Sequence, residues 1–83
     1  MAGTLDQYDV VRVTAVSDPA VLFNAHLYQR ALRVGDRATL LDIYTDPPGY
    51  EFECCDSEGK TIWLGSFAPD DLVLERVWEA PTK

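Results

Sequence analysis

Few residue types in this chain are equipped for chemistry, and most of those are carboxylates. From Asp42 to Lys60 the sequence reads DIYTDPPGYEFECCDSEGK, with six acids (Asp42, Asp46, Glu51, Glu53, Asp56 and Glu58) and no base before Lys60. Glu51 and Glu53 share one face of a strand, and paired acids run general acid–base chemistry where a cleft drives their pKa values apart. On a solvated hairpin nothing does so. Cys54 and Cys55 are adjacent, so in a strand their sulfurs diverge, and a disulfide between them needs a strained backbone. Two free thiols are expected, one buried and one accessible. His26 is the single histidine, and with two diverging cysteines it does not make a structural zinc site. No glycine-rich phosphate loop follows a strand. These residues predict a protein that is not an enzyme and uses no cofactor or metal.

The distribution of charge says more than any one residue. The 83 residues carry a formal net charge of −7. Residues 1–37 balance four acids against four arginines, whereas residues 38–83 hold ten acids against Lys60, Arg76 and Lys83. Such a surface repels phosphate backbones and anionic membranes and attracts basic partners. Nucleic-acid binding needs a basic patch interleaved with aromatics, and Arg30, Arg33 and Arg37 are the lone cluster. Solubility is the plainer reading of the same charge. The opening MAGTLDQYDVVRV has no basic leader region, and no stretch approaches the ~20 apolar residues of a membrane span. A cytoplasmic location is expected.

The elements that position these residues read as short strands. Residues 7–16 alternate, with Val11, Val13 and Ala15 on one face. Ser17-Asp18-Pro19 has the form of a helix start, and the apolar stretch 19–33 is read as one short helix or an ordered insert. Further strands are predicted at 37–45, 50–55, 60–67 and 72–78. The turn Asp46-Pro47-Pro48-Gly49 lies between two of them, with glycine supplying positive φ, and Asp56-Ser57-Glu58-Gly59 between the next two. Ala68-Pro69-Asp70-Asp71 suits one tight helical turn, and the tail EAPTK is expected to fray. The fold class is mainly β: a single domain with its core in 7–78, built as a small five-stranded SH3-like barrel. An OB-type barrel is the competing topology.

Tyr8-Asp9-Val10-Val11, Val34-Gly35-Asp36, Ile43-Tyr44, Asp46-Pro47, Tyr50-Glu51-Phe52-Glu53 and Ala68-Pro69-Asp70-Asp71-Leu72 together resemble a family of small bacterial proteins catalogued only as a domain of unknown function. The resemblance spans most of residues 7–76 and implies an SH3-like fold. Family members are often found beside toxin genes, which implies an immunity or antitoxin role. Two departures stand out: residues 18–33 are longer and more apolar than the family's connection, and Ala38 stands where glycine is expected.

On the hairpin, Tyr50, Phe52 and Cys54 are placed inward and Glu51, Glu53 and Cys55 outward. Ile62 and Leu64 suit the interior of the next strand, which turns Trp63 outward with Thr61, among the acids and with Asp42 nearby. Outward tryptophan is a hot-spot residue, and flanking acids steer a basic partner. The opposite placement has Trp63 in the core beneath 18–33, and a one-residue register slip reverses every assignment. The functional expectation is an immunity- or antitoxin-type protein that occludes a basic toxin domain, such as a nuclease, through Asp42, Asp46, Glu51, Glu53, Asp56, Glu58 and Trp63. A constitutive protein–protein module, docking through 18–33, is the alternative.

Overall fold

The computed structural model describes residues 5–81. Among these residues six antiparallel strands form one sheet: β1 (Val10–Val16), β2 (Ala25–Leu27), β3 (Arg37–Thr45), β4 (Pro48–Cys55), β5 (Thr61–Phe67) and β6 (Leu72–Trp78). Their order is β2-β5-β4-β3-β1-β6. The sheet is open, with β2 and β6 as its edges, and it has one strand more than the five expected.

The extra strand explains the apolar insert. Asp18 caps a short 3-10 helix, Pro19–Phe23, by accepting a hydrogen bond from the Ala20 N–H at 2.8 Å, with Pro19 in the first helical turn. The chain then runs as β2 along β5. Gly65 permits this approach, because a Cβ there would lie 2.8 Å from both Cα and Cβ of Ala25. Gln29 follows β2, and its N–H donates to the Ile62 carbonyl.

β1 begins at Val10 rather than at residue 7, because Tyr8 sits in the left-handed region at φ 74°. Strands β3 and β4 are joined by the two-residue turn Asp46–Pro47, whose peptide bond is cis. Residues 69–71 form a single turn, closed by the Asp71 N–H donating to the Ala68 carbonyl.

Val11, Val13, Leu32, Leu40, Phe52 and Trp63 are the most deeply buried core residues. Ala38, in the place of the expected glycine, is also core and lies opposite Val11. Two carboxylates sit among or against these side chains. Asp9 is fully buried and accepts hydrogen bonds from the N–H groups of Asp6 and Ala80, with Arg76 beside it at 3.4 Å. The tail is therefore anchored at Ala80, while the last two residues lie outside the described part. Asp36 takes both guanidinium nitrogens of Arg30, at 2.8 and 2.9 Å, along with the Arg33 N–H and the Trp63 indole N–H.

Burial pushes both carboxyls up, but the donors outweigh it and hold each below the usual aspartate range. Those donors are Arg30, Trp63 and the Arg33 N–H at Asp36, and the two backbone N–H groups and Arg76 at Asp9. Among the described residues, no buried side-chain nitrogen or oxygen lacks a partner.

Candidate partner-binding face

The acidic hairpin divides into parts that the sequence does not separate. In β4 the alternation holds as expected: Phe52 and Cys54 are buried, Cys55 is exposed, and Glu51 and Glu53 are half-buried on the outer face. In β3, Ala38 and Leu40 point inward, and unbroken alternation would carry Asp42 inward as well. A bulge at Leu41 resets the phase. Leu40 lies opposite Phe52, and the next paired residue, Asp42, lies opposite Glu51. Two like charges thus face each other across the ladder, an arrangement that costs stability. None of the ion pairs among the described residues reaches Asp42, Asp46, Glu51 or Glu53.

Neighbouring hydroxyls hold two of these carboxylates in place. Glu51 accepts from the Tyr44 hydroxyl at 2.8 Å, and Glu53 accepts from the Thr61 hydroxyl at 2.6 Å. The bond to Glu51 raises the Tyr44 pKa, because ionisation would give up the hydrogen bond the phenol donates and set a phenolate beside a carboxylate. Asp46 is exposed in the β3–β4 turn.

The other two acids are at the far end of β4. Asp56 folds the β4–β5 turn, accepting from the backbone N–H groups of Glu58 and Lys60 and from the Gln29 amide. The Gln29 and backbone hydrogen bonds hold its carboxyl below the usual range. Glu58 lies 3.7 Å from Lys60, both of them exposed. Asp42, Glu51 and Glu53 therefore share a face, Asp46 borders it, and Asp56 and Glu58 belong to a separate turn.

Trp63 is not on this face. It is completely buried, which overturns its outward placement. Residues opposite each other in an antiparallel ladder share a face, and Trp63 lies opposite inward Cys54, as Gly65 lies opposite inward Phe52. Leu64 falls opposite Glu53 on the outer side. The Trp63 ring meets Phe67 edge-on, with centroids 6.0 Å apart. Its indole N–H has an acceptor in the half-buried Asp36, so the fold satisfies the polar atom that makes tryptophan costly to bury.

The cysteines are as expected. Both are free, Cys54 buried and Cys55 exposed. Burial and the Asp36 charge push the Cys54 thiol up to about 11, and burial with the nearby Glu53 charge also raises Cys55.

A feature the sequence reading missed adjoins the acids. An open groove of about 490 Å³ runs beside the β3–β4 turn. Tyr44, Pro47, Pro48 and Ala68 give it a largely apolar lining over the backbone of Gly49 and Phe67, to which Ser66 and Asp46 add polar groups. Gly49 does not have the positive φ expected of it, which belongs instead to Gly35 and Gly59. Its role is close approach: a Cβ at Gly49 would lie 2.9 Å from the Phe67 carbonyl oxygen and 3.7 Å from the Tyr44 ring. The Tyr44 hydroxyl, bonded to Glu51 and Ser66, fixes that ring. Tyr44 thus belongs to both the groove and the acidic face.

Among the described residues, no three His, Cys, Asp or Glu side chains are placed to hold a metal, and no helix is long and apolar enough to cross a membrane. No protein-family model, curated protein or solved structure matches the chain.

Proposed function

We propose that the protein is a binding module whose outer β3–β4–β5 face docks a basic protein. The observation that carries this reading is the Asp42–Glu51 pair, two carboxylates directly opposed that no ion pair among the described residues reaches. A partner's lysines and arginines would relieve that repulsion on docking and be steered toward it before contact. The adjoining groove supplies apolar area that charge alone lacks. The family resemblance adds the form of the function: an immunity or antitoxin protein in the bacterial cytoplasm, blocking a toxin domain by occlusion rather than by catalysis. A nuclease fits, since its site is shaped for a polyanion. The same resemblance supports SH3-like kinship, and the meander β3–β4–β5 with β1 and β6 beyond β3 is compatible with it. Nucleic acid, membrane, metal and cofactor have no place in this reading.

One observation favours the alternative of a constitutive module. Phe23, Leu27 and Tyr28 are exposed on and beside the edge strand β2, an apolar surface distinct from the opposed acids Asp42 and Glu51.

The test is affinity capture from the native host, comparing the parent with a variant carrying Asp42→Lys, Glu51→Lys and Glu53→Lys. A basic protein retained by the parent, and lost from both the variant and the parent in high salt, supports docking through this face. Equal retention by parent and variant contradicts it.

A further inference from the structure

The groove beside the β3–β4 turn has a more specific chemistry than the face it borders. Its exposed apolar surface comes from a tyrosine, two prolines and Ala68, over the backbone of Gly49 and Phe67, and Asp46 is the one charged residue in its lining among the described residues. Asp46 engages no hydrogen bond or ion pair among the described residues. Tyr44 is held by Glu51 and Ser66, so its ring is set in place before any ligand arrives. A fixed aromatic ring, a free carboxylate and an apolar channel suit a side chain with an aliphatic stem and a flat cationic head. Arginine has that form: its stem packs on apolar surface, its guanidinium stacks on an aromatic ring, and its planar fork bonds a carboxylate through two nitrogens.

We propose that this groove is the socket for one arginine side chain of the basic protein partner, with Tyr44 and Asp46 as the residues that engage it. This rests on the docking reading above and names the group that would give it specificity. Steering by the open face depends on the total charge of the partner. The socket depends on one residue at one position, which is how a charged surface discriminates among basic proteins. Lysine, a compact and strongly hydrated charge without the planar fork, fits less well.

The experiment is a nuclear magnetic resonance titration of the whole ¹⁵N-labelled protein with Nα-acetyl-arginine amide, then with the lysine analogue. A hexalysine peptide serves as the probe of the open face. Arginine amide is expected to shift the backbone amides of Tyr44, Asp46, Gly49, Ser66 and Ala68 and to saturate in the millimolar range. The lysine analogue should bind about threefold more weakly or worse. Tyr44→Ala and, independently, Asp46→Asn should each weaken arginine binding about fivefold. Asp46→Asn alters an exposed residue without partners among the described residues, so it decides the matter if Tyr44→Ala fails to fold. Groove amides that do not move, or equal binding by parent and Asp46→Asn, overturn the socket. If hexalysine shifts Asp42, Glu51 and Glu53 while arginine leaves the groove unmoved, the socket falls and the docking face stands. If arginine fills the groove and hexalysine leaves the face untouched, the socket stands and the broader reading falls.

Discussion

Asp36 and Glu51 are carboxylates of one small sheet, and they do opposite things. Asp36 lies at the edge of the core, where every donor that reaches it belongs to this chain: a guanidinium, a backbone N–H and the Trp63 indole. Asp9 repeats the arrangement, joining the N-terminal turn to the end of the chain. Glu51 lies on the outer face, opposite another acid and bonded to a tyrosine that also lines an open groove. The first pair of acids spends its charge internally. The second group leaves its charge available and costs the fold something in doing so. Acid content alone therefore says little about function in a protein with net charge −7, and the placement of donors around each acid says much more.

The contrast is broken most forcefully at Trp63. Trp63→Ala empties a fully buried site and leaves Asp36 without one donor, so it should cost about 4 kcal/mol in urea unfolding, most of the stability of a domain this small. An unchanged midpoint would return Trp63 to the surface. Asp36→Ala comes next. It strands the Arg30 guanidinium and the Trp63 N–H and should cost about 3 kcal/mol. Glu51→Ala, on the other side of the comparison, should stay within about 0.5 kcal/mol of the parent.

Smaller effects sharpen the same contrast. Gly49→Ala presses a Cβ against the Phe67 carbonyl, which should cost about 1–3 kcal/mol and distort the groove. Asp9 and Asp36 have folded-state pKa values below the ordinary 3.8. The stability they contribute is complete above that value and is lost as pH falls through the lower folded values. The parent should thus weaken below about pH 4, and Asp36→Asn, weaker at neutral pH, should lose less on acidification when urea midpoints at pH 7 and pH 3 are compared. Thiol titration of the native protein should find one reacting group, Cys55, since Cys54 is buried with a pKa near 11. Two fast groups would mean that the interior face of β4 opens.

How much of this was legible in the sequence follows from the range of each signal. Residues 50–55 alternate cleanly, so the inward and outward sides of β4 are readable from the residues alone. Residues 61–67, TIWLGSF, place Ile62, Trp63 and Leu64 in a row, and three apolar neighbours leave the phase of β5 undefined. The phase is set by Gly65, which must be small where β2 crosses close by, and by Phe67 two residues further on. Together with Trp63 they make the inward face, a pattern present in the sequence that the aliphatic Ile62 and Leu64 obscure. β2 is three residues long and has no pattern of its own. The roles of Asp9 and Asp36 depend on Ala80 and Trp63, partners 71 and 27 positions away, and no local spacing announces them. The groove needs the bulge at Leu41, a two-residue turn and Ser66 from the next strand, so it exists only once the sheet has formed.

The claim that the outer acids serve something beyond the fold has a direct measurement. The double variant Asp42→Asn, Glu51→Gln removes the opposed charges and keeps the shapes and the Tyr44 acceptor. In urea unfolding at low salt it should be more stable than the parent by roughly 0.5 kcal/mol, the size of one unfavourable cross-strand pair, and the gain should shrink as salt screens the repulsion. A variant less stable than the parent by about 1 kcal/mol or more would show that these charges hold the fold together, like Asp9 and Asp36, and would contradict the division.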